Sequence, residues 1–100
     1  MFGNMMEQLQ QMKQKMEESK QRLERITVEG VSGSGKVKVT MNGNRKVTGI
    51  QIDPSLLQAD PEELEDLLIM AFNAALEQAE SVNEAEMQST AKGIMPNLGL

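Results

Sequence analysis

Along the first quarter of the chain, apolar residues recur at a 3-4 spacing: Phe2, Met5, Leu9, Met12, Met16, Leu23 and Ile26, with Ser19 as one polar member. That is the a/d seam of a heptad pattern, and it predicts an amphipathic helix over residues 4–26. Asn4 is the candidate N-cap, with Glu7 three residues on. The period then changes from 3.5 to 2. Thr27, Val28 and Val31 predict a short first strand, with Gly30 marking a bulge or turn near its end. Residues 32–35 (Ser-Gly-Ser-Gly) read as a loop. Lys36 to Met41 alternates strictly, with Val37, Val39 and Met41 inward and Lys36, Lys38 and Thr40 outward. Asn42-Gly43 predicts a type I′ hairpin turn. Arg45 to Ile52 is the third strand; Val47 is out of phase with Ile50 and Ile52, so a bulge is expected at Gly49.

Asp53-Pro54 ends the sheet, because proline cannot donate to a ladder. Leu56 and Leu57 are expected on a short helical turn. Asp60 then caps a helix that has Pro61 at its first position and acids in its first turn. Its stripe, Leu64, Leu68, Ala71, Ala75, Val82 and Ala85, extends it to about Thr90. Residues 91–100 contain Gly93, Pro96 and Gly99 and are expected to form a loose tail. The order helix, three short-linked strands, helix predicts one α+β domain over residues 1–100, with an antiparallel sheet and both helices on one face.

Composition narrows the chemistry. The 100 residues contain no His, Cys, Tyr or Trp, so imidazole bases, thiolates and nitrogen or sulfur metal ligands of the usual kind are missing. Gly33-Ser34-Gly35 is too short for a phosphate loop and is not followed by Gly-Lys-Ser/Thr. An enzyme is not expected, nor a cofactor. No apolar run approaches a membrane span and no signal-type start is visible, so a cytoplasmic protein is expected. The acidic cluster Asp60, Glu62, Glu63, Glu65 and Asp66 matches no calcium loop; it suits a helix N-terminus.

Net charge is −5, yet residues 1–50 hold nine Lys/Arg against five Glu, and residues 51–100 hold one Lys against ten Asp/Glu. With Leu9 at position a, Lys13 and Lys20 fall at e and Lys15 and Arg22 at g. Self-pairing of the helix, parallel or antiparallel, would set cation against cation. The seam is therefore expected to pack on the sheet or the last helix, leaving a basic flank free. Lys13, Lys15, Lys20, Arg22 and Arg25, together with Lys36, Lys38, Arg45 and Lys46, are the candidate contacts to DNA phosphates. Only two aromatics, Phe2 and Phe72, are available for base stacking, which argues against single-stranded ligands.

The run Gly33-Ser34-Gly35-Lys36-Val37-Lys38-Val39, then Asn42-Gly43, Ile50-Gln51-Ile52-Asp53-Pro54, Leu64-Glu65-Asp66-Leu67-Leu68 and Asn73, resembles the bacterial YbaB/EbfC family of small nucleoid-associated proteins. The resemblance implies an α-β-β-β-α fold and a tight homodimer, with the helices between two outer sheets and protruding helical arms. It also implies binding of double-stranded DNA with low sequence specificity, and a place in the nucleoid. Genes of this family often neighbour replication and recombination-repair genes. The alternative reading is thus a homodimeric interaction module that docks such a protein through its basic flank.

Overall fold

In the computed structural model, described over residues 2–94, α1 (Phe2–Arg25) leads into β1 (Thr27–Ser32). A 3-10 turn (Gly33–Gly35) follows, then β2 (Val37–Asn42), β3 (Val47–Ile52), a second 3-10 turn (Pro54–Gln58) and α2 (Pro61–Ile94). The sheet is antiparallel in the order β1-β2-β3. The expected α-β-β-β-α arrangement is present, but the molecule is elongated, about 67 × 23 × 18 Å.

The register puts Val28 opposite Met41, Gly30 opposite Val39 and Ser32 opposite Val37. On the other side Ile52, Ile50 and Val47 face Val37, Val39 and Met41. The predicted bulge is present, with Thr48 as the extra residue between Val47 and Gly49. It restores the phase of Val47, so all three apolar residues of β3 share the inner face.

Gly30 is neither bulged nor in a turn; it pairs regularly in β1. The reason for glycine lies above the sheet. A Cβ there would stand 2.0 Å from the Ala71 carbonyl oxygen and 2.4 Å from the Ala75 nitrogen. Ala71, Ala75 and Ala79, all fully buried, carry α2 down onto β1 and β2, where Val28, Val37, Val39, Met41 and Leu56 complete the core. Side chain to main chain bonds running both ways between β1 and α2 fasten the edge strand. Ser32 Oγ donates to the Leu67 carbonyl at 2.6 Å, and Gln78 Nε2 donates to the Glu29 carbonyl at 2.7 Å.

The hairpin differs from expectation. Positive φ falls on Arg45 (66°) and not on Gly43, so the turn is not type I′. Arg45 N–H closes a turn on the Asn42 carbonyl at 3.0 Å, and the Asn42 side-chain oxygen accepts from the amides of Asn44 and Lys46. The loop is therefore a three-residue hairpin ending in a left-handed residue. Gly43 is required for packing. Its Cβ would lie 2.8 Å from the Leu23 carbonyl oxygen, and its amide bonds the carbonyls of Leu23 and Ile26, capping the end of α1.

Helix boundaries also shift. α1 begins at Phe2, so Asn4 lies inside the helix and is not its cap. α2 runs through Ile94, so residues 91–94, expected in the tail, are helical; residues 95–100 of that tail lie outside the described residues. The Asp60 start is as expected, with its carboxylate accepting from Glu62 N–H at 3.1 Å. Nor does α1 lie flat on the sheet. It packs along the C-terminal half of α2, burying Leu23 and Ser19 and leaving Met5, Leu9 and Met16 exposed.

Gly30→Ala is expected to destabilise the fold by about 3 kcal/mol or more, since backbone atoms rather than a flexible side chain block the methyl group. Gly49→Ala, whose Cβ would meet only Thr40 at 3.9 Å, is the tolerated control in the same urea titration. Asp53 gives a second prediction. Bonds from the Ser55 amide and hydroxyl, aided by Lys36, hold its carboxyl below the ordinary 3.8. A lowered folded-state value stabilises above 3.8 and is lost as pH falls through that lowered value. Asp53→Ala should therefore shrink the loss of thermal midpoint below pH 4 relative to the parent chain.

Candidate nucleic-acid interface

Lys13 and Lys20 sit two helical turns apart on the same side of α1 and are exposed. The β2–β3 turn rises beside them. Asn44 Nδ2 donates to the Lys20 carbonyl at 3.0 Å, which pins the turn to the helix. Lys46, just beyond the turn, then joins Lys13 and Lys20 around one open groove of about 510 Å³. Its floor is Met16, Leu23 and Met87, and Glu17 is its single acid. Asn83 of α2 closes the corner by donating to the Gly43 carbonyl at 3.1 Å.

The other cations of α1 are placed differently. Arg22 Nε donates to Glu86 Oε1 at 2.8 Å, and its Nη2 lies 2.7 Å from the same oxygen. Lys15 Nζ donates to the Gly93 carbonyl at 2.9 Å. These two candidate residues join α1 to α2, and part of their charge is used there. Arg25 is exposed in the last turn of α1, and Arg45 is exposed in the hairpin.

Lys36 and Lys38 lie toward the far end of β2 from the turn, about five residues or roughly 17 Å away. Lys38 is 3.8 Å from Glu29 on β1, and Lys36 adjoins Asp53. The structure thus brings Lys13, Lys20 and Lys46 together and sets Lys36 and Lys38 apart from them. Asn44, Met87 and Glu86 were not singled out in the sequence. Asn44 sits in a turn, where asparagine is unremarkable, and the other two act through a helix partner more than 60 residues away.

α2 turns a row of carboxylates, including Glu77, Glu80 and Glu84, to solvent. α1 mixes five cations with four exposed Glu, whereas α2 is acidic except for Lys92. No helix among the described residues is long and apolar enough to cross a membrane.

Comparison with known proteins agrees with this architecture. The model of the YbaB/EbfC DNA-binding family matches residues 1–94. A "Nucleoid-associated protein" of Flavobacterium johnsoniae is 43% identical over 94 residues, covering 94% of this chain and 88% of that one. The crystal structure of an uncharacterized protein from Helicobacter pylori superposes with a TM-score of 0.82 at 25% identity, covering 91% of this chain and 97% of the other.

Arg22 is half open to water and Glu86 is partly buried, so the coupling should be small, about 1 kcal/mol or less, and should fade with salt. A double-mutant cycle of Arg22→Ala and Glu86→Ala, followed by chemical unfolding at two ionic strengths, measures it.

Proposed function

Because the chain belongs to the YbaB/EbfC DNA-binding family, we propose that it is a homodimeric nucleoid-associated protein that binds double-stranded DNA. Binding is largely independent of sequence and serves nucleoid organisation or gene regulation. The observation that carries this reading is the convergence of Lys13, Lys20 and Lys46 from two elements around one groove, with acids concentrated elsewhere. Clustered, exposed ammonium groups neutralise phosphates without reading bases. A protein with so few aromatics and no recognition-helix pattern has little else with which to specify a sequence.

Arg25 and Arg45 extend the cationic surface. Arg22 and Lys15 rank lower, since each already has a partner on α2. Lys36 and Lys38 form a second, separate patch on the outer side of the sheet.

The uncovered inner face of β3 supports the homodimer. α2 lies over β1 and β2 only, so Ile50 is 54% exposed although it faces the core residue Val39. Gln78 turns one flank of α2 toward the β1 edge. The opposite flank carries Phe72 and Ile69, both exposed, on the β3 side. Val47, Ile50, Ile69 and Phe72 make an apolar surface of the kind a monomeric soluble domain rarely leaves bare. A chain of this length also gains stability from burying it.

Two experiments test this. Fluorescence anisotropy with unrelated duplexes should show binding that weakens steeply with salt. Changing Lys13, Lys20 and Lys46 to Gln should reduce the log–log slope by about 5 for a dimer, at about 0.9 per lost contact. Arg22→Gln should reduce it less than Lys20→Gln does. An unchanged slope in the triple variant would remove the groove from the interface. Separately, Ile50→Lys should convert the dimer to monomer in sedimentation equilibrium; a variant that stays dimeric would place the interface elsewhere.

A further inference from the structure

Phosphates require only the three lysines. They leave unexplained why the groove has a floor of Met16, Leu23 and Met87. A pocket with an apolar, deformable floor and cationic walls suits a ligand that offers one large apolar side chain flanked by carboxylates. α2 presents such an element on its solvent side. Glu63, Asp66 and Met70 follow a 3-4 spacing, with Glu77 one heptad beyond Met70, so the four share one helical face. All four are exposed, and Met70 is 60% exposed. None of the three carboxylates is in an ion pair among the described residues.

We propose that the groove receives the Glu63–Asp66–Met70 stripe of another copy of the chain. Met70 seats on Met16, Leu23 and Met87, and the carboxylates stand opposite Lys13, Lys20 and Lys46. A chain cannot make this contact with itself. Leu67 lies at the Ser32 end of the sheet and Asn83 at the Gly43 end, so stripe and groove are separated by about 25 Å along α2. With its groove engaging one neighbour and its stripe another, each chain makes a heterologous contact that propagates head to tail. It is distinct from the Val47–Ile50 face, and it lets dimers line up in rows held by charge. DNA phosphates and the stripe compete for the same lysines.

Sedimentation velocity of the full chain without DNA tests this, so the outcome does not depend on the DNA-binding reading. At low ionic strength and high protein concentration, species larger than the Ile50-dependent unit should form and dissolve as salt is added. A groove variant (Lys13→Glu, Lys20→Glu, Lys46→Glu) and a stripe variant (Glu63→Lys, Asp66→Lys) should each lose the larger species. All five positions are exposed, and unchanged circular dichroism would verify folding. In a mixture, the intact groove of the stripe variant meets the intact stripe of the groove variant, which restores the wild-type charge pairing at that contact. The mixture should therefore give a complex of one groove variant with one stripe variant that neither forms alone. Met70→Gln, which leaves charge unchanged, should weaken association at least several-fold. Salt-independent sedimentation of the parent chain, or a mixture that forms no complex, would overturn the proposal. Full association by Met70→Gln would overturn the apolar anchor.

Discussion

Everything in this molecule depends on how closely α2 approaches the sheet at Gly30. The helix meets β1 through backbone, with Ala71 and Ala75 against a position that has no side chain, and Ala79 continues the same contact line. A helix resting on larger residues would sit farther out, and close packing would be lost along its whole length. Placed over β1 by this contact, α2 covers β1 and β2 and leaves β3 uncovered. The bare inner face of β3 is thus a consequence of the same contact that makes the core.

The second joint is the β2–β3 turn. One short loop caps α1 through the Gly43 amide, holds the Lys20 carbonyl through Asn44 and accepts from Asn83 of α2 through the Gly43 carbonyl. Three elements meet there through one main-chain donor, the Gly43 amide, and two asparagine side chains that donate to main-chain carbonyls. Because α1 is fixed only at this end and along α2, it projects away from the sheet, which gives the long axis of the molecule. The joint also brings Lys46 to Lys13 and Lys20. Fold and electrostatics are coupled at this loop: what anchors the helix also assembles the cationic groove.

Charge is divided unevenly between the elements. α1 and the hairpin hold most of the cations, while α2 is acidic along its outer side. Where the two helices touch, Arg22 and Lys15 are drawn to Glu86 and the Gly93 carbonyl. This divides the cations of α1 into those that join the arm to α2 and those that stay available to an external anion. An acidic protein can thereby keep a local surface of opposite sign, which its average charge conceals.

Periodicity and turn chemistry determined the elements and their order. Val37, Val39 and Met41 alternate, so their inward face was legible, and Asp60-Pro61 marked the start of α2, because these signals act within a few residues. The phase slip at Val47 likewise announced a bulge before any partner strand was known. The candidate cations could be named, and their two flanks on α1 assigned, from heptad position alone. Tertiary structure decided the rest. Gly30 and Gly43 looked like turn residues, and only the approach of α2 and of Leu23 revealed that they make room for neighbours distant in sequence. The N-terminal boundary of α1 moved because a cap residue does not prevent a helix from continuing through it. Which lysines converge, and which cations are engaged by α2, depended on contacts between residues 24 to 78 positions apart. Local pattern carries no information about such distances; they follow from how the helices and the sheet pack.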